Sequence, residues 1–173
     1  MGVIQYNEED VKLLARLMHA EAEGEGDLGM LMVGNVGVNR VKAVCLDFVY
    51  IDTIPKMVYQ DPGGFEATKN GYFYQRARQK EIDLARKNLK GNRYDPASYA
   101  LWFFRPEGDC PPTWYNQANS GRYKSHCFFE PSGDDSQVYI KRFNRLTTRH
   151  TDTYFSYLQK SLCQSIQIGG KKE

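Results

Sequence analysis

The sequence predicts an α+β fold, mainly α, completed by a small β hairpin. Three observations predict it. Up to Lys90, apolar residues recur at helical spacing. After Pro96 the chain turns aromatic and strand-like. With 173 residues, 41% of them hydrophobic and 25% charged, it has the make-up of one globular domain with an appendage.

The first helix is expected from Glu8 to Glu23. Asn7 is a fair N-cap, and Glu8, Glu9 and Asp10 suit the positive first turn. Val11, Leu14, Ala15, Met18 and Ala22 fall on one face; Leu13 and Leu17 widen it, as in a helix buried on much of its circumference. Gly24 and Gly26 break the pattern. A second helix follows from after Asp27 to Val44. Gly34 and Gly37 each cost about 1 kcal/mol of helix propensity relative to Ala, so they imply a closely packed neighbour and a central position. Ile54 to Gln60 reads as a short helix with Pro55 in its first turn. Gln75 to Lys90 reads as an exposed helix ended by Gly91. Tyr99–Phe104 and Gly121–Phe129 read as the two strands of the hairpin, joined by a loop with Pro111, Pro112 and Trp114. Pro131–Ser136 is a linker candidate, and Thr151–Ile166 a short amphipathic helix. The domain boundary is therefore drawn at 131, with 132–173 as an extension.

The net charge of +2 is too small to point to nucleic acid. It is uneven: from Val138 onward seven Lys or Arg stand against two acidic residues, a solvated tail or a contact for an anionic partner. No apolar run approaches the roughly 18 residues of a membrane span. Met1–Asp10 has neither the basic flank nor the apolar stretch of a secretory signal, so synthesis in a reducing cytosol is expected. Cys45, Cys110, Cys127 and Cys163 form no C-x-x-C, and free, mostly buried thiols are expected. P-loop, G-x-G-x-x-G, G-x-S-x-G and H-E-x-x-H patterns are absent. His19-Ala20-Glu21 echoes the H-x-E of zinc deaminases but lacks their P-C-x-x-C. No metal site is expected.

The chemistry points to Ala20-Glu21-Ala22-Glu23-Gly24-Glu25-Gly26. On a continuing helix Glu21 and Glu25 share a face. Glu21 stands near the negative end of a helix and follows an apolar segment. Both the dipole and desolvation raise a carboxyl pKa, as does a nearby carboxylate. A carboxylic acid kept protonated near neutral pH is what protonates a glycosidic leaving oxygen. Solvated acidic groups at a helix end are the plainer alternative.

Leu14 to Glu25, followed by Val33-Gly34-Asn35-Val36-Gly37-Val38-Asn39-Arg40-Val41, resembles the spore cortex-lytic cell wall hydrolases of the SleB/CwlJ family, with their A/G-E-A-x-G-E segment, small-residue helix and N-R-V ending. Gly64-Phe65-Glu66-Ala67 resembles the family's G-x-F-x-A block. Trp102 to Pro106 with Trp114, and Gly121 to Phe129 around His126, resemble its aromatic hairpin and closing block. The likeness spans residues 7–131 and is closer to the CwlJ type, since no signal peptide and no separate peptidoglycan-binding domain are seen.

The resemblance implies a lysozyme- or lytic-transglycosylase-like domain that degrades muramic-δ-lactam-containing cortex peptidoglycan during germination. It implies Glu21 as catalytic acid, with Glu25 orienting it or contacting sugar. Asn39 and Arg40 would hold this corner together. Phe65, Tyr72, Trp114 and Tyr115 are candidate sugar platforms, because flat apolar faces with polar edges suit pyranose rings. His126 is expected in a structural, supporting role. The family further implies deposition at the spore coat and cortex boundary, a coat-protein partner of the GerQ type, and activation by calcium dipicolinate, with no cofactor required. Transglycosylation, hydrolysis and amidase chemistry stay open, as does a non-enzymatic cortex-binding role.

Overall fold

The computed structural model describes residues 2–43, 46–133 and 139. Four helices, α1 (Glu8–Ala22), α2 (Gly26–Ala43), α3 (Ile54–Val58) and α4 (Gln79–Leu89), precede a four-stranded antiparallel sheet: β1 (Trp102–Phe104), β2 (Thr113–Trp114), β3 (Gln117–Tyr123) and β4 (His126–Glu130). Short 3-10 turns at Glu23–Glu25, Leu46–Phe48, Glu66–Lys69 and Gly71–Tyr74 fill the connections.

α1 begins as the sequence predicts. Asn7 accepts from the Asp10 N–H and Asp10 accepts from the Asn7 N–H, a reciprocal capping box at 3.0 Å each way. Val11, Leu14, Ala15, Leu17 and Met18 are completely buried. The helix stops at Ala22, which leaves helical geometry at φ −145°, and Gly26 at φ +79° completes the break. α2 is buried from Gly29 to Ala43 and forms the central post. Gly34 is required there: a Cβ would stand 2.3 Å from Asn88 Oδ1 on α4.

α2 also carries a ladder of buried amides that holds the irregular chain between α4 and the sheet. Asn35 donates to the Asn92 carbonyl and accepts from the Tyr94 N–H. Asn39 donates to the carbonyls of Ala97, Ser98 and Ala100 at 3.0–3.3 Å. The Arg40 Nε–H donates to the Leu101 carbonyl at 2.8 Å. Backbone groups that would be orphaned inside the protein thereby find partners.

Four expectations need correction. The hairpin is a sheet with strand order β1-β4-β3-β2, so β1 pairs with β4 (Phe103 opposite Phe128) and the two expected strands are not simple sequential partners. The expected Gly121–Phe129 strand is two strands. Lys124, at φ +47°, and Ser125 turn the chain so that Tyr123 faces His126. α4 is buried along one face through Glu81, Leu84, Ala85, Asn88 and Leu89, because it packs on both α1 and α2. Cys110 and Cys127 are joined in a disulfide, Cα–Cα 5.7 Å, tying the loop before β2 to β4. The expected thiols at Cys45 and Cys163, the basic extension beyond 132 and the 151–166 helix lie outside the described residues, save Ser132, Gly133 and Tyr139. Among the described residues no helix is long and apolar enough to cross a membrane.

Candidate active site

A cleft of about 1360 Å³ opens beside the C-terminal turn of α1. It exceeds the roughly 300–1,000 Å³ typical of small-molecule pockets, which suits an extended ligand. Glu21 and Arg40 reach it from the helices. One wall comes from residues 47–66 and the other from the sheet and its loops, 102–126. The walls meet where Phe48 packs on Trp102 (5.7 Å) and Phe65 on Phe103 (6.1 Å).

Glu21 is half-buried, and its Oε1 accepts one hydrogen bond, from the Ala67 N–H at 3.1 Å. Burial pushes its carboxyl above the ordinary carboxylate range. The Ala67 bond pulls it back, the Glu66 charge raises it again and Arg40 opposes; the net result is upward. Arg40 is almost wholly buried, with its guanidinium over the rings of Phe48 (4.9 Å) and Phe65 (4.5 Å). Burial lowers it to about 10 against the pull of Glu21 and Asp47, so it stays cationic at neutral pH. A carboxyl with a raised pKa, a buried cation and an apolar floor thus share one cleft, an arrangement suited to protonating a leaving group.

The remaining predicted residues divide. Phe65, Trp114, Tyr115 and His126 line the cleft. Trp114 is braced by Phe104 (5.1 Å) and Phe129 (5.7 Å). Tyr115 is 82% exposed and stands with Asn116 in a two-residue turn, both at positive φ (46° and 63°). An aromatic residue in that conformation is strained, and the Tyr115 ring packs only edge-to-face with Trp114 at 4.9 Å among the ring contacts of the described residues. His126 is buried against the edge of Phe103 at 5.1 Å. Burial lowers its pKa, opposed by Glu25 and reinforced by Arg105.

Glu25 and Tyr72 are not among the cleft-lining residues. Because α1 ends at Ala22, Glu25 does not share a helix face with Glu21. It binds the β3–β4 turn instead, accepting from the Ser125 hydroxyl and from the Ser125 N–H (3.2 Å), while its own carbonyl accepts from Lys124 Nζ (2.6 Å). Tyr72 donates its hydroxyl to Glu23 and stacks on His19 at 4.9 Å. Asn39 sits behind the cleft in the amide ladder. The sequence reading missed Tyr50 and Tyr59, both cleft-lining and exposed. Their signal was a bulky aromatic at the end of a short helix and in a turn, places where packing does not demand one.

A family model described as Cell Wall Hydrolase matches residues 24–129, a stretch that begins just after Glu21 and takes in both cleft walls. A "Cell wall hydrolase CwlJ" of Oceanobacillus iheyensis is 67% identical over 135 residues, covering 78% of this chain and 96% of the relative. The protein of the same name from Bacillus subtilis is 55% identical over 143 residues, covering 83% of this chain and all of the relative. The solved catalytic domain of the Bacillus cereus SleB protein superposes with a TM-score of 0.58 at 24% identity, over 73% of this chain and 93% of that one. That likeness establishes a shared fold.

Proposed function

This chain belongs to the cell wall hydrolase family, and from that premise we propose that it cleaves the glycosidic bonds of spore-cortex peptidoglycan during germination, with Glu21 as the catalytic acid. The coarse part, a peptidoglycan-degrading germination enzyme, rests on the relatives named cell wall hydrolase. The observation that carries the finer part is a desolvated carboxyl, held by the Ala67 N–H and lining a cleft of about 1360 Å³.

In the reaction we propose, protonated Glu21 gives its proton to the oxygen between N-acetylmuramic acid and N-acetylglucosamine as that bond breaks. The Glu21 carboxylate then takes the proton of the muramic 6-hydroxyl, whose oxygen closes on C1 as a 1,6-anhydro ring. One carboxyl suffices because the substrate supplies the nucleophile. Hydrolysis would require a second carboxylate to activate water. Glu66 is the candidate, since it lines the same cleft and its charge reaches Glu21. Trp114 and Tyr115 from the sheet wall, with Tyr50 and Tyr59 on the opposite wall, would stack on sugar rings, whereas the predicted platform Phe65 is buried beneath Arg40 and forms part of the floor.

Mass spectrometry of fragments released from decoated cortex, by wild type and by Glu21→Gln, tests this reading. Anhydro-muramic ends from wild type alone support the transglycosylase. Reducing ends indicate hydrolysis and direct attention to Glu66. Full activity in the variant overturns the assignment, and loss of activity on chelation favours an amidase. The same reading carries with it a place at the coat and cortex boundary, a GerQ-type coat partner and activation by calcium dipicolinate. Adding calcium dipicolinate to the purified protein checks the last of these.

A further inference from the structure

Residues 65–74 present three things to the cleft: the Phe65 ring, the Glu66 charge and the Ala67 N–H that binds Glu21. This segment has almost no regular structure of its own. It is two 3-10 turns sharing Asn70 as a cap. Internally it is braced, with the Thr68 hydroxyl donating to the Phe65 carbonyl (2.7 Å) and the Tyr74 hydroxyl to the Thr68 carbonyl (3.0 Å). Its placement over Glu21 depends on what fastens it to α1.

That fastening is a row of side chains, Arg16 and His19 on α1 and Glu23 in the 3-10 turn that follows it. Arg16 lies over the buried Phe73 ring at 5.2 Å. His19 stacks on Tyr72, their planes 26° apart. Glu23 accepts the Tyr72 hydroxyl. Glu23 is itself held from the far side, where Arg78 Nη2 donates to it at 2.7 Å and also to His19 Nδ1 at 2.8 Å. His19 Nε2 faces Glu23 at 3.7 Å, and its Nδ1 comes within 3.4 Å of Glu81. Arg78 Nε donates to the buried Glu81 at 2.8 Å. Glu23 and His19 hold Tyr72 directly, Glu81 ties Arg78 to the start of α4 by accepting from its N–H at 2.8 Å, and Tyr72 is absent from the cleft lining.

Resting on the reading of Glu21 as the acid, we propose that Tyr72 and Glu23 are positioning residues: their hydrogen bond clamps the 65–74 segment onto α1 so that the Ala67 N–H meets the Glu21 carboxyl. Tyr72 thus acts through Glu21 and not as a sugar platform. Glu23 occupies the position that the A/G-E-A-x-G-E pattern leaves open.

Two roles for Tyr72 give opposite kinetic signatures. A sugar platform contributes binding, so its loss raises KM; a clamp contributes geometry, so its loss lowers kcat. The clamp also has a pH signature. The groups that bear on Glu21 are Glu66 from its 3-10 turn and Arg40 from α2, with Asp47, Arg105 and His126 lining the same cleft from the two walls. None of these changes in the variants below. The Ala67 bond stabilises the ionised acid, so weakening it moves the alkaline limb of the rate profile to higher pH.

The test uses the full chain and soluble cortex glycan fragments. Tyr72→Phe, which keeps the ring on His19, is expected to lower kcat about tenfold with KM unchanged and the alkaline limb raised. Glu23→Ala, which removes the acceptor of the Tyr72 hydroxyl, is expected to do the same, and the double variant to be no worse than Glu23→Ala alone, because both substitutions remove that one bond. Both side chains are exposed, so unchanged far-ultraviolet circular dichroism is expected, and Glu23→Ala stands in should Tyr72→Phe lose stability. A raised KM with kcat and pH profile intact overturns the clamp in favour of a platform. Unchanged kinetics in both variants, or additive losses in the double variant, also overturn it. An active Glu21→Gln protein would instead overturn the underlying reading, independently of the clamp.

Discussion

Glu21 and Glu25 stand four residues apart in one acidic segment, yet the fold places them in opposite surroundings. Glu21 is desolvated beside an apolar floor, accepts one backbone hydrogen bond and has a second carboxylate, Glu66, near it; its carboxyl is raised. Burial pushes Glu25 up too, but two Ser125 hydrogen bonds, with His126 and Lys124 nearby, outweigh it and hold the carboxyl below the usual range. Donor count, not sequence position, separates an acid that can give up a proton from an anchor that stays ionised. The separation arises because α1 ends at Ala22 and the chain turns through Gly26, so the second carboxylate meets the β3–β4 turn instead of the cleft.

The largest expected effect breaks the comparison directly. Glu21→Gln should reduce fragment release from cortex by about 10²- to 10⁴-fold, the usual weight of a general acid. Glu25→Gln should leave most of that rate. Equal losses in the two variants would mean that both carboxylates touch substrate.

Stability should move the other way. Glu25 has a depressed folded pKa, so its contribution is present above its unfolded value and disappears as pH falls through the folded one. Glu25→Gln should therefore cost about 1 kcal/mol at neutral pH, the ordinary worth of such hydrogen bonds, and the difference should vanish on acidification. Glu21 has a raised folded pKa, so it favours the folded state below the window between its two pKa values and opposes it above. Glu21→Gln should match or exceed the wild-type melting temperature at neutral and alkaline pH. Thermal melts across pH on both variants test this pair, and a destabilised Glu21→Gln protein would contradict it.

A smaller effect sharpens the Glu21 side alone. The Glu66 charge raises the Glu21 carboxyl, so Glu66→Gln should shift the alkaline limb of the rate profile to lower pH. If Glu66 also activates water, the maximal rate should fall as well, and the two behaviours separate transglycosylation from hydrolysis.

Much of the helical half was legible because it follows local rules. The Asn7 cap, the Val11–Met18 face and the Gly24–Gly26 break are contained within a few turns of chain. The sheet half was less legible because its determinants are distant. The Lys124–Ser125 turn lacks the Asn-Gly or Asp-Gly signal that marks a hairpin, so β3 and β4 read as one strand. The Cys110–Cys127 bridge joins residues 17 apart with no motif between them. At the site, Glu21, Arg40, Trp114 and Tyr115 were named from motif and chemistry, and they reach the cleft. Tyr72 looked like a sugar platform because its partners, His19 and Glu23, lie some fifty residues away. Glu25 looked like a companion of Glu21 only so long as the helix was taken to continue.

Tyr115 extends the contrast to the sheet wall with the smallest expected effect. Like Glu21 it pays locally for its position, as an exposed ring at φ +46° in a turn that favours Asn or Gly. Asn adopts this backbone conformation with less strain, so Tyr115→Asn should stabilise the fold by up to about 1 kcal/mol. If the ring serves the glycan, the same variant should bind cortex more weakly, with the rate on bound substrate little changed, because a stacking platform contributes binding. Melting temperature and a cortex-binding isotherm in the Glu21→Gln background measure the two halves separately. A stabilised variant that binds as well as the parent would leave the strained ring without a function, and the sheet wall's sugar contact would then rest on Trp114.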